Sequence, residues 1–299
     1  MSALRFLIQD ESKQMTVSTL PGTQAIVVEG DRKSLSVGSL DGHFALGAHG
    51  VPAKNYMDFE PSAMIGLPDN QILAANIMQA ALLEFDGNRF KATKKWGLRS
   101  KTVFGGQLKV AADASGEVMV AAARDYILRL KTKGKSPYKH VSDAAIWGLA
   151  VSRDGKTVAN GREDGRLEIR DAETLEVIAG SKPCTCPFLA MAFSNDGGTL
   201  AFSDDAWQLF LMDMASGEVT QLDAAVGKVI GLSYLSDGRL VVVNLSRMVR
   251  LFDGGTCVAT WDLSGDLGDR YIQGAAVLGD ESGIVLACEQ KGLAFQSFT

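Results

Sequence analysis

The chain of 299 residues has little of what would mark a secreted, membrane-spanning or metal-dependent protein. Four cysteines and three histidines are too few for a disulfide framework or a histidine-rich metal centre, and they suit a reducing compartment. No apolar run approaches the ~18 residues of a membrane span. Arg5 interrupts the opening "MSALRFLIQDESK", which lacks the continuous apolar core of a signal peptide. These absences predict a soluble, cytoplasmic protein. Neither a Gly-x-Ser-x-Gly elbow nor a Gly-x-x-x-x-Gly-Lys phosphate loop occurs.

What is present is a rhythm of short apolar runs and turns. Between Gly148 and Gly180 hydrophobicity rises four times, separated by "SRDGK", "GREDG" and "DAET". Asp-Gly supplies the positive φ that a tight hairpin needs, so the stretch reads as four antiparallel strands, here a to d. Such a sheet cannot bury its faces alone, which predicts copies of it. Close copies begin at Phe188 and Val229, with first turns at Asp154, Asp196 and Asp237 spaced 42 and 41 residues apart. Looser copies begin at Gln14, Ser62 and Gln107. From Gln273 the pattern supplies strands a to c before Thr299, while Leu4, Phe6 and Ile8 form a strand that no other unit claims. Pairing the two ends removes an exposed edge and closes a ring. The expectation is one all-β domain, a seven-bladed β-propeller. Its blades span residues 14–48, 62–93, 107–141, 147–180, 188–222, 229–262, and 272–299 joined by 3–9.

In its turn-strand-Asp signatures the chain resembles the WD-repeat family of β-propellers along essentially its whole length. The resemblance rests on Asp164-Gly165 before strand c, and on apolar c strands closing in Asp86, Asp171, Asp213 and Asp253. The residue before the closing Asp, usually Trp in that family, is here Phe85, Arg170, Met212 or Phe252. The resemblance implies a rigid platform for protein interaction, a single propeller working within a larger complex.

A catalytic propeller needs acids, bases or metal ligands converging from its inner strands and the loops above them. The predicted a strands contain no His, Asp, Glu or Arg, and Lys109 alone carries charge. Cys184 and Cys186 in "KPCTCP" supply two ligands of the four that a tetrahedral zinc requires. The expectation is therefore no catalytic residue, no cofactor and no metal, with a propeller hydrolase as the lesser alternative.

Charge is unevenly placed in a chain of net charge −5. "RFKATKKWGLRSK" carries Arg89, Lys91, Lys94, Lys95, Arg99 and Lys101 around Trp96, and "RLKTKGKSPYKH" carries Arg129, Lys131, Lys133, Lys135 and Lys139. Neither run contains an acid. The propeller arrangement places both on the outer parts of blades two and three, with Trp96 as an anchor within the basic patch. Lysines also guard exposed strands against edge pairing, but "HFALG", "LEVIA", "EVTQL" and "CVATW", the other d strands, have none. The patch predicts a dock for an acidic protein segment. Nucleic acid stacked on Trp96 is the second reading, set against the acidic net charge, and an anionic membrane surface is the third. A further candidate face holds the b-to-c loops, where Lys33, Tyr126, Trp207, Arg247 and Lys291 align, with Trp207 and Arg247 its best binding candidates.

Overall fold

A computed structural model describes residues 5–8, 14–18, 25–30, 34–38, 63–67, 71–75, 78–85, 90–98, 108–123, 126–134, 136, 138–140, 144–223, 226–269, 272–277, 281, 283–288 and 292–298. These residues form antiparallel sheets, each built from strands consecutive in the chain apart from one pairing that joins its two ends. Strand β1 (Arg5–Ile8) precedes the first sheet, β2 (Gln14–Ser18), β3 (Ala25–Gly30) and β4 (Ser34–Gly38). The second sheet is β5 (Ala63–Leu67), β6 (Gln71–Ala75), β7 (Gln79–Phe85) and β8 (Phe90–Gly97). The third is β9 (Lys109–Ala112), β10 (Met119–Ala123), β11 (Tyr126–Leu130) and β12 (Tyr138–His140). The fourth is β13 (Ile146–Val151), β14 (Thr157–Arg162), β15 (Leu167–Asp171) and β16 (Val177–Ser181). The fifth is β17 (Phe188–Phe193), β18 (Thr199–Asp204), β19 (Leu209–Asp213) and β20 (Val219–Asp223). The sixth is β21 (Val229–Tyr234), β22 (Leu240–Asn244), β23 (Met248–Asp253) and β24 (Thr256–Asp262). After a single helical turn, α1 (Ser264–Leu267), come β25 (Ile272–Val277), β26 (Gly283–Cys288) and β27 (Gly292–Ser297). The fourth strand expected in the first sheet falls at 43–47, outside the described residues.

The expected pairing of the two ends is present. β1 lies antiparallel to β27, with Arg5 opposite Phe295 and Phe6 opposite Ala294, so the seventh sheet runs β25-β26-β27-β1. The first strands also adjoin in order: β5 against β9, β9 against β13, and so on to β25, while β2 lies beside both β5 and β25.

Both faces of most sheets are covered, which explains why strands such as β10 ("MVAAA") and β22 ("LVVVN") are buried at every residue instead of alternating. Among the described residues each apolar cluster draws on two consecutive sheets. Leu82, Trp96, Tyr126 and Leu130 fill the space between the second and third. Val120, Ile127, Val158 and Leu175 join the third to the fourth. Phe188, Phe202 and Phe210 anchor the fourth to the fifth, with ring centroids 5.2–5.3 Å apart. Leu240 and Phe252 belong to the five–six interface, and Val249 and Leu286 to the six–seven interface.

Consequently the charged residues of β15 do not face water as simple alternation suggests. Leu167 and Ile169 pack toward the fifth sheet, and Glu168 and Arg170 point to the interface with the third. There Arg170 Nε donates to Asn160 Oδ1 (2.7 Å), and Arg162 Nη1 and Asn160 Nδ2 donate to Glu168 (2.9 and 3.1 Å). Burial alone would raise the Glu168 carboxyl, but the Asn160 amide and the Arg170 and Arg162 guanidiniums outweigh it and hold the group below its usual range.

Of the aspartates that carry the family resemblance, Asp171 and Asp213 are turn caps, and Asp86 lies outside the described residues. Asp171 Oδ1 accepts the Thr174 amide (2.7 Å) and hydroxyl (2.8 Å), and Asp213 Oδ1 accepts the same pair from Ser216. A carboxylate at that position satisfies backbone donors that the hairpin leaves open.

Deleting residues 1–9 removes β1 and makes β27 an edge. Losing its ladder hydrogen bonds, worth ~1 kcal/mol each, should lower the melting temperature by roughly 10 °C at ~2–4 °C per kcal/mol. Differential scanning calorimetry checks this, and an unchanged melting temperature would remove β1 from the fold's stability.

Candidate functional site

The first basic run lies on a strand. Lys91 lies on β8 as expected, and β8 extends to Gly97, beyond the boundary of 93 expected for the second blade, so Lys94, Lys95 and Trp96 are strand residues as well. A bulge opposite Leu82 and Leu83 accommodates the extra length, with Thr93 Oγ1 donating to the Leu82 carbonyl at 3.3 Å. Lys91, Lys94 and Lys95 are exposed. In the second run Arg129 lies on β11, Lys131 and Lys133 in the turn after it, and Lys139 on β12 opposite Ile127. Lys133 is exposed. Arg89, Arg99, Lys101 and Lys135 lie outside the described residues.

The two runs meet through Trp96, which corrects the role expected for that residue. Its indole is 8% exposed and packs among Ala80, Leu128 and Leu130. Its Nε1 donates to the Lys131 carbonyl at 3.0 Å. Buried there, the ring offers no open face to a partner or a base. It fixes the outer strand of the second sheet to the turn of the third.

Two of the basic residues are engaged elsewhere. Arg129 and Lys131 both ion-pair with Glu173, in the turn between β15 and β16, and Arg129 Nη1 also donates to the Ala172 carbonyl at 3.1 Å. Arg129 therefore does not point outward, as alternation about Leu128 and Leu130 predicts; it reaches across to the fourth sheet. Glu173 is 60% exposed, so each pair contributes less than about 1 kcal/mol. Glu173 lies 42 residues beyond Lys131 in the chain, and no local sequence signal announces it.

On the b-to-c side the positional equivalence of Trp207 and Arg247 holds. Both occupy the fourth position of a five-residue connection and have left-handed backbones, at φ 65° and 72°, where the fourth sheet places Gly165 at 81°. A non-glycine residue in this region costs on the order of 1 kcal/mol. Trp207 is 55% exposed, and Arg247 Nη1 donates to the Gly268 carbonyl at 2.7 Å. Tyr126 departs from the expectation: it lies on β11 and is fully buried, because its connection is shorter. Lys33 and Lys291 lie outside the described residues. Beneath Trp207, the buried Asp204 carboxylate accepts the Ala206 and Gln208 amides at 3.1 and 3.0 Å, and burial pushes its pKa up despite those bonds.

The Cys184-x-Cys186 loop packs on the Gly165 turn. A Cβ at Gly165 would sit 2.1 Å from the Cys184 carbonyl oxygen, so only glycine fits there. Both thiols are free, and Cys184 Sγ donates to the Cys186 carbonyl at 3.4 Å. Burial pushes the Cys184 thiol up to about 11. Among the described residues no group of three or more His, Cys, Asp and Glu is placed to hold a metal ion, and no helix is long and apolar enough to cross a membrane.

Two measurements follow from these environments. Trp96→Phe keeps the packing and removes the bond to Lys131, and should cost about 1 kcal/mol in chemical denaturation. At pH 8 a thiol with a pKa near 11 is ionised to about one part in a thousand, so iodoacetamide should modify exposed Cys257 well before Cys184. Peptide mass spectrometry reads the order, and faster modification of Cys184 would contradict its burial.

Comparison with protein-family models and with curated proteins finds no match to this chain.

Proposed function

We propose that the chain is a seven-bladed β-propeller of the WD-repeat type, acting in the cytoplasm as a non-enzymatic interaction platform. In this reading an acidic protein segment docks on the basic rim of the second and third blades. The ring is supported by the side-by-side order of the first strands, with β2 next to both β5 and β25, and by the β1–β27 pairing. Free thiols at Cys184, Cys186 and Cys257 suit a reducing compartment.

The observation that carries the docking assignment is the Trp96–Lys131 bond, which ties the two acid-free segments together. Preorganised lysines lose less side-chain freedom on binding than lysines on a mobile loop. Edge protection accounts for the rim less well. The exposed outer strands β16 and β24 contain no lysine, and β16 leaves Ile178 63% exposed. A guard needed on every outer strand would not be confined to two. Nucleic acid is disfavoured further by the burial of Trp96, the residue on which a base would stack.

Lys94→Glu, Lys95→Glu and Lys133→Glu together reverse three exposed charges. Surface changes cost ~0.5 kcal/mol or less each, so the fold should persist. A fluorescent poly-glutamate peptide should bind the unaltered protein, weaken as salt rises above 0.1 M, where the Debye length is about 10 Å, and lose at least tenfold in affinity to the triple variant. Equal binding to both proteins refutes the docking site. Preference for single-stranded oligothymidine over the peptide would replace it with the nucleic-acid reading.

A further inference from the structure

The turns between third and fourth strands differ in a way that opens a cleft. In the fourth sheet Arg170 pairs with Val177 across six residues, and in the fifth Met212 pairs with Val219 across six. Side chains of these turns fill the space toward the preceding sheet: Ala172 and Leu175 are buried in the three–four interface, and Met214 packs into the four–five interface. In the sixth sheet Phe252 pairs with Cys257 across four residues. The short turn centres on Gly254 and Gly255, at φ 50° and 94°, and supplies no such side chain. A cleft of about 390 Å³ remains between the fifth and sixth sheets.

Its walls are apolar: Leu211, Leu222, Leu240 and Phe252. Tyr234 and Asp196 also line it. Among the described residues the Tyr234 hydroxyl has no hydrogen-bond partner, and it is closed off from solvent. Asp196 Oδ1 accepts the Ser194 hydroxyl (2.6 Å) and the Gly198 amide (2.9 Å), whereas Oδ2 accepts nothing among the described residues. Asp237, also on the rim, is held by Arg239 Nε at 2.7 Å. The site thus combines an apolar slot with one uncommitted carboxylate oxygen on an exposed residue at its mouth, the complement of a cation on a hydrocarbon stem.

We propose that this cleft binds an alkylammonium or alkylguanidinium group, its stem against Leu211, Leu222, Leu240 and Phe252 and its charged head at Asp196 Oδ2. Hydrogen bonds from Ser194 and Gly198 hold the Asp196 carboxyl below its usual range, so the acceptor is ionised at neutral pH. Burial and that carboxylate push the phenol up to about 12, so it stays neutral.

The test is an NMR titration of the full chain with N-butylguanidinium, using pentan-1-ol and butyrate as neutral and anionic counterparts. Saturable shifts at Tyr234, Gly254 and Gly255 are expected for the cation, at least tenfold tighter than for either counterpart. Asp196→Asn keeps the Oδ1 acceptor of the turn and should weaken the cation tenfold or more; Tyr234→Phe, which changes no atom open to the cleft, should leave its affinity within about twofold. Cation and alcohol binding with equal affinity, or cation shifts mapping elsewhere, overturns the proposal. The capped tripeptide acetyl-Gly-Arg-Gly-amide separates two sources: binding as tight as the free cation assigns the cleft to an arginine side chain of a partner, and weaker binding assigns it to a free amine or guanidine. Neither outcome depends on the basic rim, which lies on other sheets.

Discussion

From the second sheet to the seventh, consecutive sheets of this protein bury apolar faces against one another, and most of the other structural features depend on that arrangement. A four-stranded sheet of five- or six-residue strands has too little apolar surface to hold itself together in water. Packing between consecutive sheets supplies the missing burial, and among the described residues each apolar cluster accordingly spans a sheet boundary. Specificity at those boundaries comes from shape: Phe188, Phe202 and Phe210 interlock between the fourth and fifth sheets, and a Cβ at Gly161 would lie 2.3 Å from the Phe188 ring.

The same covering turns charged residues into structural ones. Glu168 and Arg170 would be ordinary surface residues on a sheet with one wet face. Under the third sheet they must be satisfied internally, and the Asn160–Glu168–Arg162–Arg170 network does so. Removing one member would leave a buried charge without its partner, which is costlier than the pair is stabilising. Further out, where water reaches, Arg129 and Lys131 meet Glu173 in a weaker contact that aligns neighbouring sheets more than it stabilises them.

Binding surfaces arise where the covering is incomplete or where its rim is charged. The proposed basic rim exists because one buried indole ties two outer segments together. The proposed cation cleft exists because one turn is too short to close its interface. Both are consequences of local departures from the repeat, and they carry opposite charge preference, so a partner engaging both would need acidic and basic features in separate places.

Much of the architecture is legible in the residues themselves. Strand number and spacing follow from apolar runs separated by Asp-Gly turns, and the capping role of Asp171 and Asp213 follows from the Thr174 and Ser216 three positions on. The union of the two ends follows from an unclaimed strand at one and a missing strand at the other. The fates of Trp96, Tyr126, Arg129 and Glu168 do not follow, nor does the cleft at Gly254-Gly255. Period-two alternation tells which side of a strand a residue occupies, but what covers that side comes from a sheet some forty residues away. Trp96 and Lys131, 35 positions apart, and Lys131 and Glu173, 42 apart, are brought together only when consecutive sheets stack.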